Sequence, residues 1–341
     1  MAKQEFLISE DELDDFQVQL LQRRIDQSMV VSGCAGSGKS ILALWKAKQI
    51  QELPDGSTYK FVVFTKALHQ YMSDGIESIG LNDSNFTYHW WWKNKENCSS
   101  ADYIIVDEIQ DFTKEEIAEF KKAAQKEFFF WGDSKQSIYD GMDGKHTQPM
   151  MDIAHDAGVD LEKLMFNHRL PRKIARLAAE IISDNQLVNR CRKEGISEPK
   201  VLHYNSLEKQ LDAAMEIIED RKITDAGILL RDNKLVEKAF EYLVKSDKNV
   251  EAKFGKKMTL NFKSDNPKIM TYHSAKGLQF EAVFLPECSG DKDGDRAPLY
   301  VAMTRSYEYL YIMYSDYRSS FFHPVPTNLY GTSIEDVAIE L

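Results

Sequence analysis

The run Gly33-Cys34-Ala35-Gly36-Ser37-Gly38-Lys39-Ser40 constrains this chain more than any other, because it fits the phosphate-binding loop pattern GxxxxGK[ST]. Such a loop works only between a strand and a helix. Residues 28–31 upstream read as a buried strand, and residues 41–50 downstream read as a helix with one apolar face. Between them, glycines let backbone N–H groups close around a triphosphate at the positive end of the helix. The pattern assigns Gly33, Gly36, Ser37 and Gly38 to the phosphate cradle, Lys39 to the β- and γ-phosphates, and Ser40 to a Mg²⁺ ion. Cys34, inside the loop, reads as a small filler rather than a nucleophile.

A chain of 341 residues is long enough for about two domains with sizeable cores. Hydrophobic residues at 43% and charged residues at 28% are ordinary for a globular protein, and no apolar run approaches the ~20 residues of a membrane span. Residues 1–5 lack the apolar core of a signal peptide. Four scattered cysteines without a CxxC pair argue against a disulfide framework and a zinc site, so a reducing cytoplasm is the expected compartment, and without an apolar span no membrane partner is expected. The net charge of −11 limits non-specific affinity for nucleic acid without excluding a basic groove. Much of that acidity is local, in Glu10-Asp11-Glu12 and Asp14-Asp15, which read as a solvated arm.

Strand-like runs alternate with helical ones, the pattern of parallel sheets flanked by helices in an α/β fold. Strands are expected at 29–32, 61–65, 103–106, 127–131, 226–231, 268–271, 282–285 and 310–314. Helices are expected at 40–50, 114–126, 171–183, 207–219 and 234–246. A Gly- and Asp-bearing stretch near 144–158 suggests a boundary, giving a first domain over 1–150 and a second over 151–341.

The apolar run 103–106 ends in Asp107-Glu108-Ile109-Gln110-Asp111. A strand that ends in acidic residues delivers carboxylates to the sheet edge beside the phosphate loop. Asp107 is then placed to bind Mg²⁺, and Glu108 to orient and deprotonate an attacking water. The plainer role for such a pair is to cap the next helix, but its distance downstream of a phosphate loop favours catalysis.

At this point the chain resembles the UvrD/Rep-like superfamily 1 helicases. DEIQD resembles their motif II, and the other motifs follow in order. Gly132-Asp133-Ser134-Lys135-Gln136-Ser137-Ile138-Tyr139 is similar to GDxxQSIY of motif III, and Asn167-His168-Arg169 to NYR of motif IV. Residues 271–280, from Thr271-Tyr272-His273 to Gln279-Phe280, are similar to TxHxxKGLEF of motif V, and Tyr300-Val301-Ala302-Met303-Thr304-Arg305 to YVAxTRA of motif VI. Upstream, Gln17 lies at about the spacing of the family's adenine-reading glutamine, with Gln19 as a rival. The matches run from about Gln17 to Arg305.

The resemblance implies two RecA-like P-loop NTPase lobes, the first with the phosphate loop and the second with motifs IV to VI. ATP and Mg²⁺ are the implied cofactors, with Gln136 as γ-phosphate sensor and Arg169 and Arg305 as arginine fingers that couple hydrolysis to lobe closure. His168 stands where the family has an adenine-stacking tyrosine, and Gln279 where it has a ribose-binding glutamate. A single strand is implied to contact Thr65 and the residues around His89 on the first lobe, and Thr271 and His273 on the second. Tyr88-His89-Trp90-Trp91-Trp92-Lys93 has the composition of a base-stacking platform, with Trp90 as a candidate, although such clusters more often fill cores and adjacent positions cannot all point one way.

Departures from the family narrow the function. After QSIY the family carries an aromatic–Arg–Gly segment, where this chain has Asp140-Gly141-Met142-Asp143. The family's two large helical insertions are also missing. The lysine-rich stretch 245–268, with lysines at 245, 248, 253, 256, 257, 263 and 268, reads as a solvated polar connection. The expectation is a compact ATPase that translocates on single-stranded DNA, RNA not excluded, 3′ to 5′ by resemblance, with weak or partner-dependent unwinding. The alternative is an ATP-driven switch subunit that acts on a protein such as a nuclease in a DNA-repair or phage-defence assembly. A metabolic kinase would have no need of motifs IV to VI.

Overall fold

A computed structural model of the protein describes residues 12–141 and 144–334. Met142 and Asp143, and the acidic residues 10 and 11, lie outside the described residues. The chain divides into two compact units, the first ending at His168 and the second starting at Arg169.

The first unit is a layered α/β structure. In chain order it contains α1 (Asp15–Leu21), β1 (Met29–Gly33), α2 (Lys39–Gln51), β2 (Tyr59–Val63), α3 (Lys66–Ser78), β3 (Phe86–Tyr88) and α4 (His89–Asn94). There follow β4 (Ala101–Val106), α5 (Lys114–Ala123), β5 (Ala124–Gly132), α6 (Met150–Ala157) and β6 (Leu161–Leu164). The six strands form a parallel sheet in the order β3-β2-β4-β5-β1-β6. β5 therefore lies between β4 and β1, and the segments leaving these three strands are neighbours at one sheet edge. Those segments are the phosphate loop, DEIQD and the Gly132–Tyr139 run. Val30, Val31, Ile104, Ile105, Phe129 and Phe130 are fully buried, as expected of strands covered on both faces.

The second unit contains α7 (Arg172–Ile182), α8 (Leu187–Arg190), β7 (Lys200–His203), α9 (Leu207–Asp220), β8 (Ala226–Leu230), α10 (Asn233–Lys245), β9 (Glu251–Phe254) and β10 (Lys257–Met258). It continues with β11 (Lys268–Thr271), β12 (Phe280–Leu285), α11 (Asp293–Met303) and β13 (Ser306–Tyr314). Its sheet runs β10-β9-β11-β8-β12-β13-β7 and is parallel except for the β9–β10 hairpin. Both units thus have the mainly parallel, helix-flanked sheet expected of RecA-like lobes.

Several boundaries move from their expected places. The first unit runs past residue 150, because β6 pairs with β1 (Val30 beside Leu161, Gly33 beside Leu164) and α6 leads into it. The helix expected to reach residue 126 stops at Ala123, and Ala124 pairs with Ala101 as β5 begins. The lysine-rich connection is not wholly solvated. It holds β9, which pairs with β11, and it ends in the buried Lys268, whose ammonium donates to the Ser264 and Asn266 carbonyls beside Glu251. Charge composition alone hid these short strands. Among the described residues, no helix is long and apolar enough to cross a membrane.

Candidate functional site

The phosphate loop leaves β1 at Gly33 and enters α2 at Lys39, with Gly36 (φ 72°) and Gly38 (φ 85°) in the left-handed region that favours glycine. A Cβ on Gly38 would meet the Gln17 side chain at 2.5 Å, so glycine there also admits Gln17 to the loop. Lys39 is buried, and its ammonium donates to the Gly33 and Cys34 carbonyls at 2.9 and 3.1 Å. Ser37 is buried beside it.

Ser40 and Asp107 meet directly, with the Ser40 hydroxyl donating to Asp107 Oδ2 at 2.5 Å. Asp107 is fully buried, and burial, followed by the neighbouring Glu108 charge, raises its carboxyl to about 6. Two hard oxygen donors side by side, one of them a carboxylate that ionises more readily beside a cation, suit a divalent metal.

Glu108 has φ 58° and ψ 40°, a left-handed conformation that costs a non-glycine residue on the order of 1 kcal/mol. That turn takes the chain off β4, and the Glu108 side chain is buried. Its carboxylate accepts from Gln110 Nε2 at 2.5 Å, Gln110 Oε1 accepts from the Asp133 N–H at 2.9 Å, and Asp133 Oδ2 accepts from Gln136 Nε2 at 2.8 Å. One hydrogen-bonded relay therefore joins Glu108 to Gln136. Gly132 permits it, since a Cβ there would meet Gln110 Oε1 at 2.4 Å. Sequence reasoning had not singled out Gln110 and Asp133, although both lie inside the motif-like runs.

Of the rival glutamines, Gln17 is buried against the loop and Gln19 is exposed. Gln17 Nε2 donates to the Ser37 carbonyl at 3.0 Å, and its Oε1 accepts from the Asp14 N–H in a capping box at the start of α1. His168 joins the same group, its ring Nε2 lying 2.6 Å from Asp14 Oδ2 and its backbone N–H donating to the Gly36 carbonyl at 3.0 Å. Gln17 and His168, distant in sequence, are thus brought to one place through Asp14.

In the second unit, Arg169 and Arg305 converge on Thr304. Arg169 donates to the Thr304 carbonyl at 3.3 Å and Arg305 to the Thr304 hydroxyl at 3.1 Å. Arg305 is almost wholly buried and also donates to the Val301 carbonyl at 2.8 Å. Thr271 is buried at the end of β11, with its hydroxyl capping the turn at Ser274. His273 lines a cavity of about 90 Å³ with Arg231, Tyr272 and Phe321. Gln279 is half-buried just before β12.

The aromatic run divides by helical period. On α4, His89 and Trp92 point inward, while Trp90 and Trp91 stay 54% and 45% exposed. Trp90 stacks on Tyr88 at 14°, with the Lys95 ammonium 6.0 Å from its ring. Trp92 packs on Phe120, and His89 lies edge-on to Phe112, 4.9 Å between centroids. The structure therefore puts His89 in the core rather than on a strand-binding surface. Thr65 is half-buried, and its hydroxyl caps α3 by accepting from the Leu68 N–H.

The burial of His89 has a measurable consequence. Burial lowers its imidazole from 6.5 to about 4. The unfolded chain then binds the proton more readily, so stability present above pH 6.5 is lost as pH falls towards 4. Between pH 7 and pH 5 this one residue is expected to cost about 2 kcal/mol. In urea titrations, His89→Phe should remove about that much acid sensitivity; an unchanged difference between the two pH values would show that His89 is not buried neutral.

Comparison with known proteins adds to this geometry. A family model described as an AAA domain matches residues 17–142, and one described as a UvrD-like helicase C-terminal domain matches residues 268–313. No curated protein matches the chain. Among solved structures, the C-terminal domain of a possible DNA helicase from Lactobacillus plantarum is 19% identical, covering 48% of this chain and 98% of its own at a TM-score of 0.39. That likeness is too slight to bear on the site.

Proposed function

This chain belongs to the UvrD-like helicase family, and on that premise we propose that it is a DNA-dependent ATPase that translocates 3′ to 5′ on single-stranded DNA. It unwinds duplex weakly or with a partner's help. The observation that carries the reading is the contact between Ser40 and Asp107 beside the phosphate loop, with Glu108 held next to it by Gln110.

Ser40 and Asp107 would hold Mg²⁺, which supplies charge neutralisation at the phosphates. The glycines of the loop and Ser37 cradle the phosphates, and Lys39 exchanges its carbonyl partners for phosphate oxygens. Glu108 takes the proton of the attacking water, and its tie to Gln110 keeps the carboxylate aimed. Gln136, at the other end of the relay, senses the γ-phosphate, so base and sensor answer to the same hydrogen-bond chain. Gln17 and His168 take the adenine and Gln279 the ribose. Arg169 and Arg305 supply the positive charge that stabilises the transition state.

For the strand, Trp90 stacked on Tyr88 offers an exposed aromatic face with a lysine beside it, which suits a base and its phosphate. Thr65, Thr271 and His273 complete the contacts, while His89 packs in the core against Trp92, Phe112 and Phe120.

Steady-state ATP hydrolysis with single-stranded DNA, single-stranded RNA and duplex, at low and moderate salt, tests the reading. Single-stranded DNA is expected to stimulate by about tenfold or more, and Trp90→Ala to raise the DNA concentration for half-stimulation by about tenfold. A rate unmoved by any nucleic acid would replace the translocase with a switch that answers to a protein partner.

A further inference from the structure

α1 is only two turns long, too short to be stable by itself, yet it carries Gln17 to the phosphate loop. Its N-terminal end is fixed by the Asp14 capping box and by His168. Its C-terminal end leaves carbonyls without helical partners. Lys46, on α2, answers them: its ammonium donates to the Leu21 carbonyl at 2.9 Å and the Arg23 carbonyl at 3.0 Å. The side chain is fully buried, with the Phe129 ring 5.8 Å from the ammonium. Burial lowers the ammonium to about 8, so it keeps its charge at neutral pH, where a cation at a helix C-terminus is favourable.

A buried lysine is a costly way to fill a core position that a methionine could occupy. Its effect is to tie α1 to the helix that begins at the phosphate loop, so Gln17 is referenced to the loop at two points, Ser37 and Lys46. The Gln17 amide cannot flip, because flipping would set its oxygen against the Ser37 carbonyl and its NH₂ against the Asp14 N–H. One N–H and one lone pair of the amide remain for a ligand. That donor–acceptor pair matches the N7 acceptor and N6 donor of adenine, whereas guanine presents acceptors at both N7 and O6.

We propose that Lys46 is a positioning residue for base specificity: its grip on the end of α1 holds the Gln17 amide in register with the phosphate loop and so sets the preference for ATP over GTP. This rests on the ATPase reading above. The test is kcat and KM for ATP and for GTP in the full chain and in Lys46→Met, Lys46→Arg and Lys46→Gln. Lys46→Met is expected to raise KM for ATP about tenfold, the worth of one charge-assisted hydrogen bond, with kcat and the KM for GTP unchanged. Lys46→Arg, which can still donate to both carbonyls, should restore the preference. Lys46→Gln reads the same quantity if the methionine variant does not fold.

In a Gln17→Ala background, Lys46→Met should no longer change the ATP-to-GTP ratio. Equal losses for both nucleotides, or an unchanged ratio, would overturn the proposal and leave Lys46 a packing residue. A wild-type chain that hydrolyses neither nucleotide would instead overturn the ATPase reading.

Discussion

Glu108→Gln is expected to lower ATP turnover by a factor of about 10² or more while ATP still binds. The substitution keeps the shape of the side chain and removes only its capacity to take a proton. Gln110 Nε2, which donates to Glu108 Oε2, can donate equally to the amide oxygen of a glutamine, so the relay through Asp133 to Gln136 has no reason to break. Gln110 holds the carboxylate by its NH₂ group, so nothing in that contact requires a charge. Single-turnover hydrolysis, with nucleotide binding measured in parallel, separates the two effects. Turnover within a few fold of wild type would remove Glu108 from the role of base, and lost binding would show that the substitution had disturbed the loop.

Substitution of Arg305 is expected to be costlier, by about 10³-fold in turnover, the lower range for an arginine finger. Its guanidinium also holds its own lobe together, donating to the Val301 carbonyl and the Thr304 hydroxyl from a nearly solvent-free position. Arg305→Ala would remove these hydrogen bonds and leave a cavity where a buried side chain stood, so lost activity in that variant does not separate lost chemistry from lost structure. Arg305→Lys is the discriminating variant. It keeps the charge and gives up the planar fork, so the fold should survive while transition-state stabilisation falls. A folded Arg305→Lys protein with wild-type turnover would show that Arg305 is a structural strut only. Arg169, on the same Thr304, offers an internal comparison, because it is less buried and its replacement should disturb the fold less.

The elements that were legible in the sequence are those whose signal is local. β1, β4 and β5 are apolar runs buried on both faces, and each hands over to a segment whose glycines and carboxylates announce its work. β6, β7 and β9 were not legible, being four-residue strands that carry charged residues (Glu162, Lys200, Glu251) and owe their conformation to the neighbour they pair with. β6, with α6 leading into it, carries the first unit past residue 150 to His168. The aromatic run 88–93 held a real ambiguity, since composition cannot say which ring faces out. Helical period resolved it only once α4 was seen to start at His89.

By itself, then, the sequence determined the chemistry available to this protein: a phosphate loop after a strand, a carboxylate pair after another, and two arginines in runs that match a known order. Such patterns are written in consecutive residues because a turn of backbone and the residues on it are local objects. Tertiary structure decided how those groups are held. It buried Gln17 against the phosphate loop and left Gln19 exposed, and joined Gln17 to His168 through Asp14. It ran a hydrogen-bond relay from Glu108 to Gln136, put His89 in the core, and set a buried lysine under the end of α1. Each of these depends on residues from different strands or helices meeting in space, where burial and hydrogen-bond partners are set by packing and not by neighbours along the chain.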